Sequence, residues 1–149
     1  MGFDLHGMKP NLKSPKPKIS MVKATQKEWK KYHEWEEENV GVYFRNNVWS
    51  WRPLWDFVYS VCHDILTEED VHHGHSNSGH KISAKKANRI ADKLYSMLNN
   101  GQVEEYEKTY KEKLSKLHEK DWDRSYPFDK DNVRRFADFC ANSGGFEIC

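Results

Sequence analysis

Leu54, Phe57, Val58, Val61, Cys62 and Ile65 fall at i, i+3, i+4, i+7, i+8 and i+11, the spacing of one helical face without a miss. An apolar stripe of that length has to be covered, so the chain must wrap other elements around a central helix at about 53–66. Pro53 suits the first turn of that helix, where its missing N–H costs nothing. Thr25-Gln26-Lys27-Glu28 is a capping box that opens a helix running to about Asn39. Ser83 caps a helix that buries Ala87, Ile90, Ala91, Leu94 and Leu98 and stops at Asn99-Asn100-Gly101. A thinner stripe of Val103, Tyr106, Tyr110, Leu114 and Leu117 predicts a peripheral helix from about Gln102 to Lys120. Asp129 caps a last helix that buries Val133, Phe136, Ala137 and Cys140 and ends at Ser143-Gly144-Gly145.

The two ends echo each other as Gly2-Phe3-Asp4-Leu5 and Gly145-Phe146-Glu147-Ile148, each with an aromatic and an aliphatic on one side of an extended segment. The expected fold is therefore mainly α: a single compact domain over 1–149, with about five helices and a minor β element from the N- and C-terminal segments. Residues 8–24, with Pro10, Pro15 and Pro17 among five lysines, read as a strap or arm, and 67–82 as a polar, His-rich loop. Residues 1–31 carry eight lysines against Asp4 and Glu28, which fits either a phosphate-seeking arm or a solvated segment.

A chain of 149 residues leaves little room for a second domain. Its net charge of +1 offers no field for bulk nucleic acid. Charged residues at 32% alongside 13% aromatics describe a charged surface around an aromatic core. No apolar run approaches a membrane span, the first residues lack a signal-peptide core, and His6 stands where a myristoylation signal needs Ser or Thr. Cys62, Cys140 and Cys149 are odd in number and form no C-x-x-C pair, so a reducing cytoplasmic compartment is expected.

The densest unusual stretch is Tyr43-Phe44-Arg45-Asn46-Asn47-Val48-Trp49-Ser50-Trp51-Arg52-Pro53-Leu54-Trp55, with five aromatics, two arginines and two asparagines in thirteen positions. Read as extended, it places Trp49 and Trp51 on one side. Tyr43, Trp49, Trp51 and Trp55 then suit stacking on a base, Arg45 and Arg52 suit phosphate, and Asn46 and Asn47 suit amide-like edges. The structural alternative is that the tryptophans plug a small core while the arginines cap it. Asn77-Ser78-Gly79, followed by Lys81, can form a backbone nest for an anion and joins the candidate site as Asn77, Ser78 and Lys81. Asn142-Ser143-Gly144 reads more simply as a helix cap.

His72, His73, His75 and His80 crowd nine positions without the cysteine spacing of a zinc site, so neither metal nor cofactor is expected. There is no G-x-G-x-x-G, P-loop, G-x-S-x-G or H-E-x-x-H, and Cys62 and His63 diverge on a helix. His33, His63-Asp64 and Asp121 or Asp138 follow the H…HD…D order of helical HD-type metallophosphohydrolases, which makes that activity a third reading.

The opening Met1-Gly2-Phe3-Asp4-Leu5-His6-Gly7-Met8-Lys9-Pro10, the Tyr43–Trp55 centre and the closing Ser143-Gly144-Gly145-Phe146-Glu147-Ile148-Cys149 resemble a family of small proteins encoded by bacteriophages and some bacteria. The resemblance spans nearly the whole chain and implies a setting, not a mechanism. Phages carry small proteins that capture host immune nucleotide signals. By analogy, the expectation is a non-enzymatic binding protein for a small anionic nucleotide-like ligand. The alternative is an interaction module that inhibits a host enzyme through the same Trp/Arg patch.

Overall fold

The computed structural model describes residues 2–149, apart from the side chain of Asp123. Alternation at the two ends of the chain builds its β layer. Strand β1 (Gly2–Gly7) pairs antiparallel with β4 (Phe146–Ile148), as the echoed ends predict. Two further strands flank them, β2 (Tyr43–Asn47) beside β1 and β3 (His80–Ile82) beside β4, giving an antiparallel sheet of order β2-β1-β4-β3. Phe3, Leu5, Phe44, Ile82, Phe146 and Ile148 all project to the buried face. The other face shows the cross-strand row Tyr43, His6, Glu147, Lys81. The β element is therefore larger than the termini alone supply, and the domain is mixed α+β rather than mainly α with a minor strand pair.

Among the described residues there are six α-helices, α1 (Gln26–Glu38), α2 (Val48–Val61), α3 (Glu68–His73), α4 (Ala84–Asn99), α5 (Gln102–Ser115) and α6 (Lys130–Asn142), of which α2, α3 and α6 pack against this sheet. The Thr25 capping box, the Ser83 cap and the Asp129 cap all form. Pairing between α4 and α6 is the most extensive helix contact, because Ala87 and Ala91 on one and Ala137 on the other let their backbones approach beneath Phe136 and Ile90. Helix α5 buries Val103 alone in full and ends at Ser115, earlier than its stripe suggests. A 3-10 turn (Trp122–Ser125) then leads into α6.

Three expectations need correction. Helix α2 starts at Val48, five residues before Pro53, because the Asn47 side chain accepts the Ser50 N–H at 2.9 Å and caps it there. Pro53 sits inside the helix, and burial of Trp51, Leu54 and Trp55 around it offsets the missing backbone bond. Val61, on the predicted apolar stripe, is only half-buried, whereas Val58 is fully buried. Residues 67–82 are not a loop throughout. Thr67 and Asp70 form a second capping box that starts α3, and β3 follows.

Residues 8–14 form a strap held by backbone bonds. Met8 and Lys9 N–H donate to Gly145 and Ser143 carbonyls at 2.8 and 3.0 Å, and Trp35 Nε1 donates to the Ser14 carbonyl at 3.0 Å. The strap runs so close to Gly144, whose φ is +65°, that a Cβ there would sit 2.2 Å from the Lys9 carbonyl oxygen.

Trp51 and Trp55, one helical turn apart, stack with ring centroids 5.4 Å apart and donate their indole N–H groups to the Gly74 and Val71 carbonyls at 2.7 and 3.1 Å. They thereby dock α3 onto α2. Gly74 lies directly over the second ring, where a Cβ would fall 2.1 Å from the Trp55 indole. Gly74→Ala is expected to lower stability by about 2–3 kcal/mol, since a fully buried indole cannot move aside. Urea denaturation of the two proteins checks this, and an unchanged midpoint would contradict the packing.

Candidate functional site

The helical state of residues 48–61 decides which of the clustered aromatics reach solvent. Trp49 and Trp51 point in different directions on a helix, not to one side of a strand. Trp51 and Trp55 are fully buried core, so neither can stack on a ligand. Trp49 remains 38% exposed and packs its ring on Tyr126 with centroids 4.9 Å apart. One turn further along, Arg52 is exposed, donates to the Tyr126 hydroxyl at 3.1 Å and lies 5.9 Å from that ring's centre.

Arg52 and Tyr126 border a groove of about 340 Å³ between α2, α5 and the 3-10 turn, whose walls also include Asp56, Lys113, Leu117 and Trp122. Trp122 is 76% exposed, an unusual position for the largest apolar side chain. Tyr110 also lines the groove and donates its hydroxyl to the Tyr126 carbonyl at 2.5 Å, which ties the 3-10 segment to α5. Aromatic surface and two cations thus converge on one concave region, with Asp56 as the acceptor among them. Sequence reasoning missed Lys113, Trp122 and Tyr126. The signal available was a tryptophan and a tyrosine within the polar connection Asp121–Pro127, where no core demands them.

Of the other candidate residues, Arg45, Asn46 and Asn47 line one separate cleft and the rest are dispersed. Asn46 is buried and exchanges two amide hydrogen bonds with Asn132, at 3.0 and 2.7 Å, so it reads no ligand edge. Asn47 is spent on the α2 cap. Tyr43 and Arg45 lie on the outer sheet face. Tyr43 donates to the Asp4 carboxylate, and burial, that bond and the Asp4 charge push its hydroxyl pKa up to about 12. The Arg45 side chain, 66% exposed, approaches Asp4 at 3.7 Å. Lys81 shares this face three strands away, at the opposite edge of the sheet. Asn77 donates to the Gly2 carbonyl at 3.0 Å, Ser78 Oγ meets Ser76 Oγ at 2.9 Å, and the Gly79 N–H bonds the Ile148 carbonyl. The Asn77 amide and the Gly79 N–H are thus spent on the chain itself, while Ser78 pairs within its own loop.

Two other depressions lack convergent chemistry. A cleft of about 460 Å³ beside Arg45 and Arg135 also contains Asp129 and Asp131, which balance the two arginines. A larger depression, about 850 Å³, follows the exposed side of α5 among Glu104, Glu105, Lys108, Lys111 and Glu112. It is one solvated helix face.

Thiol chemistry is disfavoured. Burial pushes the Cys62 thiol up to about 12 and raises Cys140 well above its ordinary range, and both cysteines lie within the core. The H…HD…D order does not assemble into a site: His33 contacts Glu36, His63 the Ser60 carbonyl, Asp64 approaches Arg89, and Asp138 accepts from Tyr95. Among the described residues the one group able to share a cation is Glu69, His73 and His80. Among the described residues no helix is long and apolar enough to cross a membrane.

Fold and groove together describe a small α+β protein with an aromatic–cationic concavity at the edge of its helical layer. Comparison with protein-family models, curated proteins and solved structures gives no match.

Proposed function

We propose that the protein is a non-enzymatic binding protein that takes a planar, anionic, nucleotide-like ligand in the groove between α2, α5 and the 3-10 turn. The observation that carries this reading is the Arg52 guanidinium, exposed and braced by Tyr126, with Trp122 lining the same concavity. A base stacks on Trp122 or Tyr126, and phosphate oxygens meet Arg52 and Lys113. Asp56 accepts from ribose hydroxyls or an exocyclic amine. In the phage setting that the sequence resemblance suggests, the role is sequestration of a host nucleotide signal in the cytoplasm.

Native mass spectrometry and calorimetry with a panel of mono-, di- and cyclic nucleotides test this. Arg52→Ala is expected to weaken binding by about 1.5–3 kcal/mol, the scale of a charge-assisted hydrogen bond. Trp122→Ala is expected to weaken it while leaving the melting temperature unchanged, since its ring is solvated. Arg45→Ala is expected to leave affinity unaltered, because Arg45 lies on the sheet face. Binding to none of the panel would overturn the reading.

A second reading is favoured by Trp122 alone. A tryptophan that exposed, rimmed by Arg52 and Lys113, has the composition of a protein–protein hot spot. Inhibition of a host enzyme, lost in Trp122→Ala and indifferent to nucleotides, would support it.

A further inference from the structure

The His-rich segment acquires an order in the fold that its sequence does not show. Glu69 and His73, four residues apart, share one face of α3, and β3 brings His80 against them. One donor atom from each of the three lies within 4.8 Å of the other two. A cation bonded at about 2.0–2.2 Å to each donor needs separations of no more than about 4 Å, so the donor separations need to shrink by under about 1 Å.

We propose that Glu69, His73 and His80 form a binding site for a zinc-class divalent cation at the α3–β3 corner, with Asp70 as the residue that orients His80. Two imidazoles and one carboxylate suit zinc, cobalt or nickel, and do not suit magnesium or calcium, which take oxygen ligands. The independent support is Asp70. Its carboxylate, 5% exposed, lies 2.8 Å from His80 Nε2, and an ionised carboxylate only accepts, so Nε2 carries the hydrogen. That leaves the lone pair of neutral His80 on Nδ1. A carboxylate bonded to the far nitrogen of a ligating imidazole is the usual outer partner in zinc sites.

The His73 and His80 rings stack, with centroids 4.9 Å apart and 14° between planes, so one must turn for both lone pairs to meet a single ion. His73 is the one that turns. It is held by a 3.4 Å contact from Nδ1 to Ser78 Oγ, far weaker than the bond that fixes His80. Three protein donors leave a fourth position open to solvent, and the bound ion ties α3 to the sheet.

Tag-free protein, stripped with EDTA and titrated with zinc chloride, tests this by native mass spectrometry and calorimetry. We expect one equivalent bound and a raised melting temperature. His73→Ala and Glu69→Gln are expected each to weaken binding roughly tenfold or more, and Asp70→Asn to weaken it through His80. His72→Ala and His75→Ala are the controls, since His72 is exposed and His75 pairs with Asp56 at 3.4 Å. Failure to bind one equivalent overturns the site. So does binding that survives His73→Ala, or that falls equally in the two controls. His73→Ala removes no contact to the core, so a folded variant is available for the test, and its result is independent of nucleotide binding.

Discussion

Trp51→Ala is expected to destabilise the domain by about 3–5 kcal/mol, much of the total stability of a chain this size. The ring is fully buried and stacks on Phe3 from the sheet and Trp55 from its own helix, so its removal opens a cavity bounded by both layers. The Gly74 carbonyl loses its donor as well. Trp49→Ala, two residues earlier, is expected to cost about 1 kcal/mol or less, because the ring only leans on Tyr126 at the surface. Urea denaturation of both variants reads the difference. Equal, small losses would mean that Trp51 is a surface residue after all.

Asp70→Ala is expected to cost about 3 kcal/mol in metal-free protein. Asp70 accepts from the Thr67 N–H at 3.0 Å, from His80 Nε2 at 2.8 Å and from Lys86 Nζ at 2.5 Å, so one substitution removes one half of the α3 capping box and its tie to β3 and α4. Lys86 is left 31% exposed and can turn to water, which keeps the loss near the lower end of the range for a broken buried pair. Asp70→Asn retains one cap bond and should cost less. Burial alone would raise the Asp70 carboxyl. The bonds from Lys86, Thr67 and His80, with the Lys86 charge, overcome it and hold the pKa at about 2. A folded-state pKa below the unfolded value contributes stability above the ordinary carboxylate range near 4 that is lost as pH falls through about 2. Acid titration of wild type against Asp70→Asn, followed by circular dichroism, should therefore diverge above that window and converge below it. Parallel curves would contradict the assignment.

The caps at Thr25, Ser83 and Asp129 and the stripe through Leu54, Phe57 and Val58 were legible because they depend on residues three or four positions apart. Helix propensity, capping and periodicity act within one or two turns, and a single chain displays them in full. The pairing of β1 with β4 was also legible, since two short echoing segments at the ends had few other partners. The sheet's outer strands were not. Residues 43–47 and 80–82 become strands because β1 and β4 offer their edges, and neither segment is long enough to declare itself.

The same division runs through the candidate site. Composition located the Trp/Arg segment, and Arg52 stands at the groove, but the local sequence does not state whether a tryptophan faces core or solvent. Asn47 settles that by capping α2 early, which rotates Trp51 and Trp55 under α3 and leaves Trp49 outside. Trp122 and Lys113 reach the groove across more than fifty residues of chain, and His80 reaches Glu69 and His73 only through the turn that follows α3. Hydrogen-bond geometry within a helical turn is written locally. Which face is covered, and which side chains meet, depends on contacts between segments distant in sequence, and only packing of the whole chain selects those.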